Sequence, residues 1–345
     1  AIDHFCRIVK EESDFMTAVF YGYLPDVAGY WSIEGDHRGT SELLRLKSVD
    51  IVSAPHSYVR RGLGEDGLFR SFPASIALHG KLFIDEGDDR TCFDGSVSNG
   101  VEFVPHPGAP KTIEGSIQVI RREFGNMLTH SIGMWYMDLN GGNFRHPALA
   151  GEICRLKKWG DYAMRLPRRS NAEVAVFSAL EGEFSMPERG EDSCQTRLYQ
   201  TTLGELCKCG APFDYYLIED LTPEITAKYK MLVYLDGLPL PSGQEQLLDA
   251  GAQVLRIDPA NQPDAAGFRE IFRAAGVHIY LESNDNFSCG ISSLMIHAAA
   301  DGVKTVRLPE PRQVFDLNAE AKVGADIREF SVHLKHGETA LYLLE

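Results

Sequence analysis

Residues 75–90 read SIALHGKLFIDEGDDR, and this stretch decides the fold. Its apolar run Leu82-Phe83-Ile84 stops abruptly on the acidic, glycine-containing segment 85–89. Such a pattern is typical of a buried strand whose C-terminal end opens into a loop. Catalytic side chains of α/β barrels lie at that end of the strands, so the stretch predicts a catalytic role for Glu86. The alternative is a solvated acidic loop, which an isolated acidic run by itself favours.

The segments around this stretch alternate between strand and helix patterns. Strands are predicted at 15–23, 50–55, 78–86 and 131–139, and helices at 1–14, 41–47, 112–128 and 147–164, with a glycine-rich loop at 60–67. This order indicates parallel βαβ units. Four units make half of the eight that close a barrel, so either the sheet is open or the segment is half of a barrel. The start inside an amphipathic helix favours the second half of a barrel.

Two further domains are predicted after a linker at 167–171. Residues 171–285 repeat the strand-helix order, including a strand predicted at 277–281, and lack a Gly-x-Gly-x-x-Gly turn after their first strand. They are therefore predicted to form an open, doubly wound domain without a nucleotide site. Short strands with glycine turns after residue 286 predict a small antiparallel β module. The expected fold class is α/β, with a second-half TIM-type barrel at 1–166, the open domain at 171–285 and the β module at 286–345.

Composition limits the classes of partner. The 345 residues carry a formal charge of −15, which argues against nucleic acid as the main partner. No apolar run reaches the roughly 20 residues that span a bilayer, so no membrane role is expected. The seven cysteines have no regular spacing, which favours reduced thiols and a cytoplasmic protein. The Cys207-Lys208-Cys209 pair is too tight for an ordinary zinc site, and neither a metal-ligand set nor a cofactor motif is visible.

Candidate binding residues stand at the predicted ends of neighbouring strands. His56 and Tyr58 are two residues apart, so in an extended chain both face one side and could hydrogen-bond Glu86. The alternative is a loop histidine and a packed tyrosine. Trp135 could form an apolar floor for a sugar ring, although a strand tryptophan alone is more often core. Asp138 could bind a hydroxyl or cap the next helix.

These side chains predict one ledge that suits glycoside hydrolysis, made of Tyr21, His56, Tyr58, Glu86 and Trp135. More aromatic and basic residues are expected on the same face, namely Tyr23, Tyr30, Trp31 and Arg60. A retaining mechanism needs a second, protonated carboxyl group roughly 5–5.5 Å from the nucleophile. Candidates for it exist by position only: Glu34, Asp36, Glu65 and Asp138.

The chain resembles the C-terminal portion of clan-A glycoside hydrolases of the β-galactosidase kind, family forty-two and its relatives. The resemblance rests on VDIVSAPHSYVRRG (49–62), LHGKLFIDEGDDRT (78–91), GMWYMDLNGG (133–142) and the ending GETALYLL (337–344). It implies barrel strands five to eight, with Glu86 as nucleophile on the seventh. It also implies a His-x-Tyr pair at His56 and Tyr58 on the sixth strand and a sugar-stacking Trp135 on the eighth. Residues 171–285 would then match a domain that often mediates trimer contacts, so a homo-oligomer is expected.

The resemblance places the general acid/base glutamate on a fourth strand, upstream of Ala1. The first hypothesis is therefore a retaining glycosidase acting on β-galactosides or a related β-linked sugar, with half of its catalytic pair in this chain. The second is a non-catalytic carbohydrate-binding or scaffold remnant of such an enzyme. A third, amidotransferase-like use of the open domain would need a reactive cysteine at a strand-to-helix turn, where Cys194, Cys207 and Cys209 do not stand.

Overall fold

The computed structural model of the protein describes most of the chain. Described are residues 1–22, 37, 39–94, 108–138, 141–179, 194–235, 240, 243–249, 253–258 and 260–345, without the side chains of 194–197 and 249. The predictions for Tyr23, Tyr30, Trp31, Glu34 and Asp36 lie outside the described residues.

The first sheet is the parallel, four-stranded sheet that the sequence predicts. Its strands pair in chain order and are β1 Ala18–Phe20, β2 Ile51–Pro55, β3 Leu82–Gly87 and β4 Gly133–Tyr136. Its helices are α1 Ile2–Glu12, α2 Thr40–Arg45, α3 Pro73–Leu78, α4 Ile113–His130 and α5 Pro147–Ala163. A helix follows every strand, so the strand-helix alternation is confirmed.

The start of the central strand was predicted wrongly. The sequence places it near Leu78, but β3 begins at Leu82 because residues 73–78 form helix α3. Pro73 occupies the first turn of α3, where its fixed φ suits a helix, and Gly80 makes the turn to β3 with φ +69°. A short apolar run does not distinguish strand from helix, which explains the error.

Helix α4 has clear start and stop signals. The Thr112 side chain accepts a hydrogen bond from the Gly115 amide at 3.0 Å, and Ser131 ends the helix in the left-handed conformation at φ 58°. Ile120 and Phe124 of α4 belong to a core cluster that includes Met295 of the C-terminal module. Helix α4 is thereby packed between the first sheet and that module.

The two faces of the first sheet differ in burial. Strand partners project to the same side, so one face carries Phe20, Leu82 and Trp135, whose exposed fractions are 51%, 44% and 40%. We call this the open face. The opposite side, the helix face, carries Val52 and Phe83, which are 1% and 2% exposed.

The second sheet is also parallel, in the order β6-β5-β7-β8. Its strands are β5 Val174–Ser178, β6 Phe213–Leu217, β7 Met231–Leu235 and β8 Gln253–Ile257, and its helices are α6 Cys194–Cys207, α7 Pro223–Thr226, α8 Gln244–Asp249 and α9 Ala265–Ala274. The reversal of strand order next to β5 is that of an open, doubly wound sheet, as predicted.

The strand predicted at 277–281 is not present. The Tyr280 amide donates to the Gly210 carbonyl at 2.8 Å, and the Arg307 amide donates to the Tyr280 carbonyl at 2.8 Å. These tertiary hydrogen bonds satisfy backbone N–H and C=O groups of the segment without a β-ladder. Residues 277–281 therefore form only a single β-bridge, between Leu281 and Val306.

The C-terminal module is a five-stranded antiparallel sheet in the order β12-β11-β13-β10-β9. Its strands are β9 Asn286–Gly290, β10 Ser293–His297, β11 Gly302–Asp316, β12 Ala321–Leu334 and β13 Thr339–Leu344. The antiparallel β module is therefore confirmed, although β11 and β12 are longer than the short strands predicted. Across the described segments, no helix combines the length and apolarity needed to traverse a bilayer.

Candidate active site

Glu86 lies near the carboxyl end of β3, where its backbone pairs with Pro55 on one side and Trp135 on the other. The residue is 7% exposed and projects from the open face, next to a strand end. Burial raises the pKa of the Glu86 carboxyl group, the negative charge of Asp88 raises it further, and the positive charge of Arg70 lowers it. Glu86 is therefore a carboxyl group at a rim whose pKa is raised overall, and Arg70 offsets part of that rise.

Tyr58 lies close to Glu86 and is held by cations. The guanidinium groups of Arg70 and Arg61 stand 4.3 Å and 4.5 Å from the centre of the Tyr58 ring. Burial raises the pKa of the Tyr58 hydroxyl, and the charges of Asp88 and Glu86 also raise it, while the two arginines lower it. Tyr58 thus presents a protonated hydroxyl, and its ring is held in place by cation–π contacts with Arg61 and Arg70. Arg70 and Arg61 were not singled out from the sequence.

His56 does not share the surroundings of Tyr58. It is fully buried, whereas Tyr58 is 38% exposed. Strand β2 ends at Pro55, and His56 forms an isolated bridge with Phe69, so the two-residue alternation expected of extended chain stops there. The His56 ring lies 3.8 Å from Asp85 and 3.6 Å from Asp89, measured between ring nitrogens and carboxylate oxygens.

Trp135 lies on the open face beside Glu86, as the strand register requires. Its indole is 40% exposed and meets the Phe20 ring edge to face, with ring centres 6.2 Å apart. Tyr21 follows β1, and its hydroxyl accepts a hydrogen bond from the Gly39 amide at 3.0 Å. The Tyr21 ring also meets His37 edge to face, so this tyrosine anchors the segment before α2.

The two described carboxyl groups that were candidates for a second acid hold local turns. Asp138 accepts hydrogen bonds from the Asn143 amide at 3.1 Å and from the Asn143 side chain at 3.0 Å. The helix that follows is capped by His146, so the prediction that Asp138 caps it is wrong. Glu65 accepts from the Gly62 amide at 2.6 Å. Arg60, also expected on this face, pairs with Asp66 at 2.8 Å.

A group of ionisable side chains lies behind Glu86 and was missed by the sequence reasoning. We call His56, Asp85, Asp89 and Glu123 the buried cluster, since all four side chains are fully buried. Burial, followed by the charge of Glu123, raises the pKa of both aspartates well above the ordinary value, and burial raises the pKa of Glu123 to about 7. Burial together with nearby arginines holds the pKa of His56 well below its usual range.

Only part of the buried cluster had a signal in the sequence. Asp85 and Asp89 belong to the acidic segment that follows the apolar run, and His56 was selected for another role. Glu123 is an ordinary acidic residue within a helical pattern, so nothing in the sequence links it to His56 before α4 packs beneath β3.

A cavity of about 420 Å³ opens elsewhere, at the amino end of β3. Leu82, His130, Arg168, Asp214 and Phe287 are among the residues that line it. Because catalytic groups of α/β barrels stand at the carboxyl ends of strands, this cavity is not the candidate active site.

The two described cysteines considered as nucleophiles are poorly suited to that role. Burial raises the pKa of Cys207 well above its usual value and that of Cys209 to about 12. A neutral buried thiol is a poor nucleophile, which disfavours the amidotransferase-like alternative. The side chain of Cys194 lies outside the described residues.

Comparison with known proteins relates the fold of the chain to that of glycoside hydrolases. No family model and no curated protein matches the chain. Among solved structures, a catalytic mutant of a GH42 β-galactosidase from G. stearothermophilus is similar over 88% of this chain and 60% of its own, with TM-score 0.52 and 11% identity. A β-galactosidase from the Antarctic haloarchaeon Halorubrum lacusprofundi is similar over 99% of this chain and 66% of its own, with TM-score 0.53 and 12% identity.

These likenesses concern the fold. Sequence identities of 11% and 12% leave the activity open, and the chain spans less than two thirds of the length of either enzyme. The chain has a glycoside hydrolase-like fold built from parallel α/β sheets and an antiparallel β sheet.

Proposed function

We propose that the chain carries the nucleophilic half of a retaining glycosidase that acts on β-galactosides or a related β-linked sugar. The observation that carries the proposal is the pairing of Glu86 with Trp135 at the carboxyl edge of a parallel sheet. That register puts a carboxylate and a half-exposed indole side by side on the open face. A sugar stacked on the indole would present its anomeric carbon to the neighbouring carboxylate.

The open face supports the idea of a half barrel. Phe20 and Leu82 are large apolar side chains with about half of their surface in water. In a closed barrel the equivalent inward-facing side chains fill the interior in layers. We therefore assign residues 1–166 to strands five to eight of a (β/α)8 barrel, whose remaining strands would cover Phe20, Leu82 and their neighbours.

The same proposal covers the rest of the chain. Residues 171–285 are assigned as the domain that contacts other copies, in a homo-oligomer such as a trimer, and residues 286–345 as the C-terminal β domain. The partner is a carbohydrate, and a cytoplasmic location is supported by the six described cysteines, which are all free thiols.

The chemistry follows from the roles of two carboxyl groups. An oxygen of Glu86 would bond to the anomeric carbon as the bond from that carbon to the leaving oxygen breaks, while a protonated glutamate gives its proton to the leaving oxygen. Water then attacks the anomeric carbon, the second residue takes a proton from that water, and the bond from the carbon to Glu86 breaks to release the sugar. Arg70 favours the charged form of Glu86, and the Tyr58 hydroxyl can donate a hydrogen bond near it.

The second carboxyl group is placed outside this chain, on the fourth barrel strand. Of the candidates within the described segments, Glu65 and Asp138 are engaged by Gly62 and Asn143. The same observation favours the second candidate function, a carbohydrate-binding remnant that keeps the sugar platform without turnover.

The test uses a sugar whose leaving group needs no proton. We expect 2-deoxy-2-fluoro-β-galactosyl fluoride to label the purified protein, because fluoride departs without general acid catalysis. Intact-mass spectrometry should show one adduct per chain. Glu86→Gln should abolish the adduct, whereas Glu65→Gln, a control that removes another of the candidate acids, should keep it. A carbohydrate-binding remnant would bind galactose but form no adduct in any variant.

A further inference from the structure

The buried cluster occupies a place that the proposed chemistry does not use. His56 and Asp89 follow the carboxyl ends of β2 and β3, Asp85 lies on the helix face of β3, and Glu123 projects from α4 beneath them. Glu86 and Trp135 lie on the opposite, open face. The buried cluster is thus separated from the candidate sugar site by the strand itself.

Most polar atoms of the buried cluster have no hydrogen-bond partner. This holds for both ring nitrogens of His56, both oxygens of Asp85, both oxygens of Asp89 and Oε2 of Glu123. The Glu86 backbone carbonyl lies near the His56 ring but does not form a well-aligned hydrogen bond with it. Buried polar groups are almost always hydrogen-bonded, because losing water without a replacement is costly. Seven such atoms in one place indicate that a binding partner belongs between them.

The partner must be positively charged. Arg122 is the cation nearest to the carboxylates, and its Nε donates to Oε1 of Glu123 at 2.7 Å. Its other nitrogens donate to the backbone carbonyls of Gly62 at 2.6 Å and Arg61 at 3.0 Å, so its donors are used. The Arg61 side chain donates to Asp88 instead. Three buried carboxyl groups therefore share one histidine and the charges of Arg122 and Arg61, and both arginines already donate hydrogen bonds to backbone carbonyls.

We propose that the buried cluster binds one divalent transition-metal ion through His56, Asp89 and Glu123. One donor atom from each of these residues lies within 4.8 Å of the others. Nε2 of His56 lies 3.6 Å from Asp89 Oδ1, and Glu123 Oε2 lies 3.9 Å from the other ring nitrogen, Nδ1. Ligand atoms bound at about 2.1 Å to one metal are separated by roughly 3–3.5 Å, so the Glu123 carboxylate must shift toward Nε2 of His56 to close the site.

Asp85 fits the role of a positioning residue for this site. Its Oδ2 lies 3.8 Å from Nδ1 of His56. Histidines that bind metals commonly donate their second N–H to a carboxylate, which fixes the ring and its tautomer. Asp85 would accept that hydrogen bond once the ring has turned toward the metal.

The donor set selects the class of ion. One imidazole nitrogen and two carboxylate oxygens suit Zn²⁺, Mn²⁺, Fe²⁺ or Co²⁺, whereas Ca²⁺ and Mg²⁺ prefer oxygen alone and Cu⁺ prefers sulfur. The role of the ion is structural, since the site is enclosed and lies away from the open face. It ties the ends of β2 and β3 to α4 and so holds the backbone that carries Glu86.

The competing account is a metal-free cluster whose carboxyl groups carry protons. A protonated carboxyl group needs an acceptor for its O–H, yet no oxygen of Asp85 or Asp89 has a hydrogen-bond partner. The bound cation and the hydrogen bond between Asp85 and His56 together account for five of the seven unpartnered atoms, and this inference does not depend on any glycosidase activity.

Metal analysis of the purified protein tests the proposal. We expect inductively coupled plasma mass spectrometry to find about one Zn²⁺ or Mn²⁺ per chain. Removal of the metal with a chelator should lower the melting temperature of the protein by several degrees. Co²⁺ added to the stripped protein should restore the melting temperature and give visible d–d absorption from a site with nitrogen and oxygen ligands.

Variants locate the ion. Asp89→Asn and Glu123→Gln should weaken Co²⁺ binding by about 100-fold or more, because each neutralises a ligand. Glu152→Gln is the matched control: Glu152 is a buried carboxylate on α5 that pairs with Arg121 of α4 and Arg155 of α5, so its loss should leave Co²⁺ binding unchanged. If either ligand variant fails to fold, the spectrum and stoichiometry of the unaltered protein still decide.

Two results would overturn the proposal. One is a stripped protein that takes up none of Zn²⁺, Mn²⁺ or Co²⁺ at millimolar concentration and melts at an unchanged temperature. The other is Co²⁺ binding that persists at full affinity in Asp89→Asn and Glu123→Gln. Neither result affects labelling by the fluorinated sugar, so failure here is distinguishable from failure of the proposed function.

Discussion

Asp85 and Glu86 are neighbours on one strand but occupy opposite environments. Asp85 lies on the helix face, fully buried among His56, Asp89 and Glu123, whereas Glu86 lies on the open face beside Trp135. The alternation of a β-strand produces this difference from two adjacent carboxylates. One strand end can therefore supply a reactive group to one face and a structural group to the other.

Deleting Glu123 should have the largest effect on the helix face. Glu123→Ala leaves the buried Arg122 guanidinium without its carboxylate, which should cost about 3–5 kcal/mol of unfolding free energy. Urea denaturation measures this. Asp161→Ala, which removes a carboxylate from an exposed pair with Lys157, should cause no comparable loss. Equal losses from both would show that the helix face is not specially stabilised.

Adjacent apolar residues on β3 test the contrast between the two faces directly. Phe83→Ala should destabilise the protein by about 3–5 kcal/mol because Phe83 is a packed core side chain. Leu82→Ala should cost less than about 1 kcal/mol, since the Leu82 side chain is almost half exposed. A large loss from Leu82→Ala would mean that the open face is covered in solution. The same substitution should become costly once the proposed first half of the barrel is present.

Trp135→Ala should weaken sugar binding without unfolding the sheet. The lost stacking on the sugar is worth about 0.5–1.5 kcal/mol, which corresponds to a roughly 2- to 13-fold weaker binding constant for galactose or a galactose-derived inhibitor. Isothermal titration calorimetry measures the change. Trp159→Ala, which alters an indole packed against Phe315 in another part of the chain, should leave sugar affinity unchanged. Unaltered affinity in Trp135→Ala would remove the tryptophan from the sugar site.

The pH dependence of labelling gives the smallest expected effect. The nucleophile acts as a carboxylate, so the labelling rate should rise with pH through the pKa of Glu86, which burial and Asp88 hold above the ordinary value. Arg70 lowers this pKa, so Arg70→Met should move the midpoint to higher pH. Lys157→Met removes a distant exposed cation and should not move it. A midpoint that moves to lower pH in Arg70→Met would contradict the placement of Arg70 beside Glu86.

The elements with strong periodic signals were predictable from the sequence. Helices α4 and α5 and strand β2 lie within two residues of their predicted bounds, because their apolar spacing and end signals agree. The errors occur where tertiary contacts, and not the local sequence, decide the secondary structure. Helix α3 is a short apolar segment that fits either state, and residues 277–281 are held by bonds to Gly210 and Arg307 instead of a ladder.

The site was predictable only in part, for a similar reason. Glu86 and Trp135 were selected because strand ends are visible in the sequence, and parallel pairing brings such ends together. The pairing of His56 with Glu123 needs α4 to lie beneath β3, and the two residues are far apart in the chain. The sequence also does not show whether an apolar residue such as Leu82 faces a core or water.

The position of the covalent sugar adduct tests the central claim most directly. After labelling with 2-deoxy-2-fluoro-β-galactosyl fluoride, proteolysis and tandem mass spectrometry identify the modified residue within the segment 82–90. The account predicts that the adduct lies on Glu86, on the open face, and that Asp85, Asp88 and Asp89 stay unmodified. An adduct on one of these aspartates, or none after complete incubation of folded protein, would contradict it.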